Sequence, residues 1–199
     1  IEEFEKAITD KTKAILICNP GNPTGTLYSK EEMLALGEIA RKHDLFLISD
    51  EVYREFCYTD EPHFSAMNIK GIEDKVILID SVSKRYNLCG ARVGCIISRN
   101  KEVMAAAMKY AQSRLCPPVL GQIASIGALD TPDEYFAAVK EEYIRRRNYM
   151  IEGLNKIEGV YSPVPMGAFY TVAELPVDDV EEFAKWMLEN FRIDNETTM

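Results

Sequence analysis

The sequence predicts an α/β fold in which a mainly parallel β-sheet lies between two layers of helices. Short aliphatic runs bounded by polar or turn residues occur at residues 14–18, 45–48 and 76–79, a pattern typical of strands buried on both faces of a parallel sheet. Between the first two runs, Ser29 and Glu32 have the spacing of a capping box, and apolar residues then repeat at helical intervals. We therefore expect a right-handed βαβ unit and a third parallel strand.

A fourth strand is predicted at residues 93–97. Its connection to the third strand is too short for a helical crossover, so we expect these two strands to pair antiparallel. From Lys101 onward the apolar pattern becomes helical. Pro117 and Pro118 interrupt it, which predicts a second helix over residues 119–129.

The last third of the chain has a different layout. Residues 132–156 are charged and periodic over a long stretch, which predicts one helix that bridges two domains. Beyond it we expect a strand at residues 168–173 and a helix at residues 178–190. The predicted boundary divides the chain into residues 1–130 and residues 131–199.

Composition narrows the class of protein. At 199 residues and 47% hydrophobic content the chain can bury a sizeable core. A formal net charge of −9 argues against nucleic acid or an anionic membrane as a partner, because both require a basic surface. No apolar run approaches the length of a membrane span, and a cytoplasmic protein is expected.

Cysteines and histidines indicate neither a disulfide framework nor a metal site. The five cysteines are scattered and mostly lie in apolar runs, which favours reduced thiols in the core. With two histidines and no close cysteine spacing, no metal site is expected. The chain begins at Ile1 without a methionine and ends without an obvious cap, so we interpret it as a piece of a longer protein.

Polar residues follow each of the three predicted parallel strands. Because ligands of such sheets bind at the carboxyl ends of the strands, these side chains should face one ligand. Asn22 follows the first strand, and Asp50 and Tyr53 follow the second. The third strand is followed by Ser81, Ser83, Lys84 and Arg92.

A lysine at this place needs a reason, since most lysines are solvated. An ordinary lysine is only about 0.04% neutral at pH 7, and it becomes useful for catalysis when it is desolvated or covalently engaged. A Schiff base with pyridoxal phosphate meets that need. Asp50 could keep the pyridine nitrogen of that cofactor protonated, and the serines and Arg92 could bind its phosphate.

Three motifs carry a resemblance to a known family. They are Asn-Pro-Gly-Asn-Pro-Thr-Gly at residues 19–25, Ser-Asp-Glu-Val-Tyr at residues 49–53, and Ser-Val-Ser-Lys at residues 81–84, with Arg92 eight residues later. In this order and spacing they resemble class I/II aminotransferases, which are fold-type-I pyridoxal phosphate enzymes. The match covers most of residues 11–100.

The resemblance implies a function and a fold. It implies amino-group transfer between amino acids and 2-oxo acids, with aspartate and 2-oxoglutarate as first choice, in a homodimeric parent protein. The fold it implies is an incomplete three-layer αβα sheet of the large cofactor-binding domain, plus part of a smaller α+β domain.

Residue by residue, the resemblance implies that Lys84 is the Schiff-base lysine and Asp50 the partner of the pyridine nitrogen. Tyr53 and Asn22 would contact the ring oxygen. The phosphate would be bound by Ser81, Ser83 and Arg92. Met166 to Tyr170 resembles the start of a small-domain strand and is equally compatible with plain core.

Parts of the family pattern are missing from this sequence. The glycine-containing phosphate turn and the aromatic residue that stacks on the cofactor would precede residue 1, and the arginine that binds the substrate carboxylate would follow residue 199. Arg145, Arg146 and Arg147 lie in the charged helix, so they are not assigned that role. We therefore expect little transamination by this chain alone.

The sequence motifs were also compared with those of other classes of enzyme and of non-catalytic domains. Ser81 to Lys84 satisfies the Ser-x-x-Lys motif of serine acyl-enzymes, but Ser-Asp-Asn and Lys-Thr-Gly do not occur. Residues 45–51 resemble a Walker B strand without a matching phosphate loop. The remaining alternatives are another fold-type-I enzyme, such as a C–S lyase, and a regulatory domain without catalysis.

Overall fold

A four-stranded sheet forms the centre of the computed structural model, which describes residues 1–197. The strands are β1 (Ala14–Cys18), β2 (Phe46–Asp50), β3 (Val76–Ser81) and β4 (Gly94–Ser98), in the spatial order β1-β2-β3-β4. The first three strands run parallel, and β4 pairs antiparallel to β3. The predicted antiparallel fourth strand is thus confirmed.

Helix α2 (Lys30–Lys42) connects β1 to β2 and covers one face of the sheet. Ser29 accepts the backbone N–H of Glu32 while the Glu32 carboxylate accepts the backbone N–H of Ser29, so the predicted capping box is confirmed. The apolar face of α2 is buried with the strands, and its largest members are Met33 and Leu36. Each such side chain contributes about 1.5–3 kcal/mol by leaving water.

The remaining elements are mainly helical. Helices α1 (Glu2–Lys6) and α3 (Val82–Arg85) are short. The longer ones are α4 (Lys101–Arg114), α5 (Val119–Ala128), α6 (Asp133–Leu154) and α7 (Val180–Glu189), and they confirm the predicted helices of the second half. A small hairpin of β5 (Arg192–Ile193) and β6 (Glu196–Thr197) follows. Thr198 and Met199, the last residues of the predicted second domain, lie outside the described residues.

The strand predicted at residues 168–173 is wrong. Only isolated bridges occur there, between Gly167 and Cys57 and between Glu174 and Tyr161. Ala168 has φ +56°, in the left-handed region, and this interrupts the extended backbone that a ladder of strand hydrogen bonds requires.

The prediction that the cysteines lie in the core is only partly correct. Cys57 is buried and Cys18 is half-buried, whereas Cys89, Cys95 and Cys116 are exposed. Cys95 lies on β4, whose first four residues are exposed, because β4 is the last strand of the sheet. All five are free thiols. Among the helices in the described part of the chain, none combines the length and the hydropathy that crossing a membrane requires.

A stripe of exposed aliphatic side chains runs along α5. It consists of Leu120, Ile123 and Ile126, and Leu120 is 81% exposed. We expect residues 1–199, expressed alone, to self-associate through this stripe because water contact with so much aliphatic surface is unfavourable. Light scattering at micromolar concentration should detect the association, and replacement of Leu120 and Ile123 by lysine should reduce it. A chain that stays monomeric at tens of micromolar would contradict this expectation.

Candidate active site

The carboxyl ends of β1, β2 and β3 meet at one edge of the sheet. Cys18 is the register partner of Asp50, and Asp50 is the register partner of Ile79. The Asn19 backbone N–H donates to the Asp50 carbonyl oxygen at 2.9 Å, which ties the loop after β1 to the end of β2. The predicted site residues of the three strands therefore belong to one sheet edge.

Ser81 ends β3 and also caps α3, so the chain turns from strand to helix without a loop. The Ser81 Oγ atom accepts the backbone N–H of Ser83 at 3.0 Å and lies 2.7 Å from the Ser83 Oγ. It also lies 2.9 Å from the carbonyl oxygen of Val93. Two hydroxyls are thus held together at the start of the turn that carries Lys84.

Lys84 lies above aromatic rings rather than beside a carboxylate. Its Nζ atom is 5.6 Å from the centre of the Tyr53 ring and 5.5 Å from that of Phe169. Among residues 1–197 it forms no ion pair within 4.0 Å and no hydrogen bond. Such cation–π contacts are worth about 0.5–2 kcal/mol. The amine is therefore held next to two aromatic rings and has no polar partner among the described residues.

Tyr53 is 3% exposed, and its hydroxyl lies 2.8 Å from the hydroxyl of Tyr170. Burial, followed by the hydrogen bond to Tyr170, raises the pKa of Tyr53 well above its ordinary value. The phenol therefore stays protonated over the physiological range and keeps a proton to donate. Its ring also packs edge-on against Phe169 at 5.1 Å between centroids.

Phe169 and Tyr170 were not among the site residues predicted from the sequence. They belong to the segment from Met166 to Tyr170, which resembled the family but was equally compatible with core. The contact between Tyr53 and Tyr170 spans 117 positions, and no local pattern reveals such a pair. The resemblance of this segment to the family was the one sequence signal that pointed to Phe169 and Tyr170.

Asp50 is half-buried at the end of β2 and has one free carboxylate oxygen. Its Oδ1 atom accepts the backbone N–H of Val52 at 3.1 Å. Within the described chain, neither oxygen has a cationic partner inside 4.0 Å. The site thus contains a carboxylate and an ammonium group that do not neutralise each other.

Asn22 and Arg92 are two predicted site residues whose side chains are exposed. Asn22 is exposed in the loop after β1, and its side chain makes no hydrogen bond to residues 1–197. Arg92 is also exposed, with φ +55°, and its Nη1 donates to the carbonyl oxygen of Cys89 at 3.1 Å. Neither side chain is therefore hydrogen-bonded to Ser81 or Ser83.

Two cavities lie near the site, and neither coincides with it. The larger, of about 500 Å³, lies between the segment that follows β2 and helix α6, and contains none of the predicted site residues. The smaller, of about 190 Å³, is lined by Phe169 and Tyr170 together with Arg146 and Arg147. Both guanidinium groups already have partners, because Arg147 donates to the Pro165 carbonyl and Arg146 to Glu142.

A partly buried histidine supports the loop that leads to Asn22. The Nε2 of His63 lies 3.1 Å from the carbonyl oxygen of Asn19 and 3.9 Å from Oε2 of Glu51, a residue with no exposed surface. Burial lowers the pKa of His63 below its usual 6.5, although the charge of Glu51 acts in the opposite direction. The neutral imidazole is the form that the fold accommodates.

The stability of the intact protein should depend on this histidine. Since the unfolded chain binds a proton near pH 6.5 and the folded chain does so only at lower pH, the free energy of unfolding should decrease as pH falls below 6.5. The His63→Gln variant should lose part of that decrease. Denaturant titrations of the apo protein from pH 7.5 to 5 measure it, and an identical pH dependence in both proteins would contradict the assignment.

Comparison with known proteins agrees with the geometry. The family model for aminotransferase class I and II matches residues 1–194. A putative aminotransferase of Bacillus subtilis, YugH, is 36% identical over 195 residues, which are 96% of this chain and 50% of that protein. An aspartate aminotransferase of Thermotoga maritima is 35% identical over 193 residues, 97% of this chain and 50% of that protein.

A solved structure shows the same fold. The aspartate aminotransferase of Thermus thermophilus with maleate superposes with a TM-score of 0.86 at 31% identity, over 94% of this chain and 50% of that one. This likeness confirms the predicted fold class, an incomplete three-layer αβα sheet of the fold-type-I kind. The chain spans about half the length of the relatives it matches. By its sequence and its fold, the chain belongs to the class I and II aminotransferases.

Proposed function

We propose that the intact protein is a pyridoxal phosphate-dependent aminotransferase that exchanges an amino group between an amino acid and a 2-oxo acid. The observation that carries the proposal is the unpaired Lys84 amine above the Tyr53 ring. An amine without a counterion beside a buried phenol suits a covalent bond to an aldehyde. Family membership supports the same activity.

The side chains at this edge fit that cofactor. Lys84 has no competing partner among the described residues, and Asp50 has a free carboxylate oxygen for a protonated ring nitrogen. The protonated phenol of Tyr53 is a suitable donor to a ring oxygen, and Asn22 is exposed in the neighbouring loop. For a phosphate group, the hydroxyls of Ser81 and Ser83 are already held together, which lowers the cost of ordering them.

When bound, pyridoxal phosphate supplies an electron sink for the bond to the α-hydrogen of the amino acid. Asp50 would hold a proton on the pyridine nitrogen, a pairing worth about 4 kcal/mol at contact distance and an effective dielectric near 20. Lys84 Nζ, once free, would take up and return the α-proton as general base and acid. The Tyr53 hydroxyl would donate to the ring oxygen.

Arg92 would bind the phosphate only after its guanidinium group leaves its present hydrogen-bond acceptor. Its guanidinium group donates to the Cys89 carbonyl, and the left-handed backbone at this residue directs the chain into β4. A planar guanidinium with two parallel donors binds phosphate well. We propose that Arg92 exchanges the carbonyl oxygen of Cys89 for phosphate oxygens when the cofactor binds.

The same proposal covers the organisation of the whole protein. Residues 1–130 belong to the large cofactor-binding domain, and residues 131–199 contain the interdomain helix and part of the small domain, with α6 (Asp133–Leu154) as that helix. The parent is a homodimer, which agrees with the exposed aliphatic stripe on α5. A cytoplasmic location stays a prediction from the sequence.

The substrates are proposed from the relatives. Two of the proteins compared above are named aspartate aminotransferases, so aspartate and 2-oxoglutarate are the first pair to assay. A panel of twenty amino donors should be assayed with the purified intact protein and 2-oxoglutarate as acceptor. Each donor that is a substrate should yield its 2-oxo acid, with glutamate formed in equal amount. Elimination products without glutamate would indicate a lyase, and cofactor binding without any turnover would indicate a regulatory domain; either result would refute amino-group transfer.

A further inference from the structure

Asp80, Arg85 and Arg54 form a largely buried ion-pair network, and none of the three is among the predicted site residues. Asp80 is 8% exposed and Arg85 is 9% exposed. The Nη2 atom of Arg85 donates to both carboxylate oxygens of Asp80, at 2.9 and 2.7 Å. The Nη1 atom of Arg54 lies 3.3 Å from Oδ2 of the same carboxylate.

Each member of this network is the sequence neighbour of a site residue. Asp80 precedes Ser81, Arg85 follows Lys84, and Arg54 follows Tyr53. The network therefore connects the segment after β2, the end of β3 and helix α3 to one another.

Asp80 closes the turn that carries Lys84. Its Oδ1 atom accepts the backbone N–H of Ser81 at 2.7 Å, before α3, while both its oxygens accept from Arg85, the last residue of α3. A four-residue helix has too few internal hydrogen bonds to be stable alone, so tertiary contacts must fix its direction. Lys84 lies between the two ends that Asp80 joins.

We propose that Asp80, with Arg85 and Arg54, is a positioning residue that holds the Lys84 amine over the Tyr53 ring. The proposal deepens the proposed function and rests on it for the consequence that this placement favours capture of pyridoxal phosphate. In this proposal, Asp80 and its partners have no direct contact with the cofactor. They act through α3 and the end of β2.

Other charges near the network do not replace Asp80. Glu55 is the second carboxylate at these guanidinium groups, 3.5 Å from Nε of Arg54 and 3.8 Å from Nη1 of Arg85, and its side chain is 39% exposed. Cys95, the register partner of Asp80, is exposed as a residue, but partial desolvation of its thiol and the charge of Asp80 raise its pKa, so it stays a neutral thiol. Without Asp80, Arg85 would keep one weak, partly solvated partner.

The test uses the intact protein and two measurements. In the apo protein, competitive acetylation followed by mass spectrometry measures the reactivity of Lys84 against that of the exposed Lys109. In a second measurement, titration with pyridoxal phosphate gives the affinity and the pH profile of the absorbance of the bound cofactor. The variants are Asp80→Asn and Arg85→Gln, with Glu142→Gln as the matched control, because it removes the two ion pairs that Glu142 makes with Arg145 and Arg146 on α6.

In the Asp80→Asn variant, Lys84 should be acetylated several-fold faster, because its amine is released from the rings. The same variant should bind pyridoxal phosphate about tenfold more weakly. It should also shift the pH profile, which a general loss of stability would not do. Arg85→Gln should likewise speed the acetylation of Lys84 and weaken the binding of pyridoxal phosphate. The double variant should be no worse than the worse single variant, since the pair acts as a unit. Glu142→Gln should match wild type.

Unchanged acetylation of Lys84 in folded Asp80→Asn would overturn the proposal. If Asp80→Asn does not fold, Arg85→Lys carries the same test, because it keeps the charge but cannot reach both oxygens from one planar group. Failure of the wild-type protein to bind pyridoxal phosphate would count against the proposed function alone, because the acetylation result for Lys84 does not depend on the cofactor.

Discussion

Replacing Lys84 with alanine should lower amino-group transfer by the intact protein by at least about 10⁴-fold, because both the covalent attachment point and the proton carrier are lost. Cofactor content should fall less than activity, since Asp50, Tyr53 and the two serines remain. Initial rates with aspartate and 2-oxoglutarate, measured together with cofactor content by absorbance, separate the two effects.

Lys109→Ala is the matched control for this variant. Lys109 is exposed on α4 and is not one of the predicted site residues, so its removal changes the lysine count without changing any of those residues. Its activity should equal that of wild type. A Lys84→Ala protein that retains a tenth of the wild-type rate would remove Lys84 from the chemistry.

Asp50→Asn should produce the second-largest effect, a decrease of roughly 10²–10³-fold in the rate of α-proton transfer. The amide occupies the same space but carries no charge, so the interaction of about 4 kcal/mol with a protonated ring nitrogen is lost. The cofactor should still bind, because Lys84 is intact. Single-turnover rates and cofactor content should be measured on the same preparation.

Two further variants sharpen this test. Asp50→Glu keeps the charge and should recover part of the rate, which a role in packing alone would not explain. Asp44→Asn removes the exposed partner of Lys75 and should leave the rate unchanged. Equal single-turnover rates for wild type and Asp50→Asn would exclude Asp50 from the mechanism.

The centre of the fold was predictable because its signals are local. Aliphatic runs mark the three parallel strands, Ser29 and Glu32 mark the start of α2, and a short connection marks the antiparallel β4. These features depend on residues that are near one another in the chain. The placement of Lys84 at a strand end follows from the same run.

Other features have no recognisable pattern in the sequence and were missed. Tyr170 approaches Tyr53 from the second half of the chain, and the left-handed backbone of Ala168 has no sequence signature in an alanine. Asp80 and Arg85 are five positions apart, which is a regular spacing in neither helices nor strands, and their pairing arises only where β3 passes directly into α3.

Borohydride reduction of the intact protein with bound pyridoxal phosphate, followed by peptide mapping, tests the central claim most directly. Reduction makes the bond between the cofactor and its lysine permanent, so the labelled residue can be read by mass spectrometry. The geometry predicts one label per chain, on Lys84, and no label in Lys84→Ala at the same cofactor concentration. A stoichiometric label on any other lysine, or none at all, would contradict the assignment of this strand end as the cofactor site.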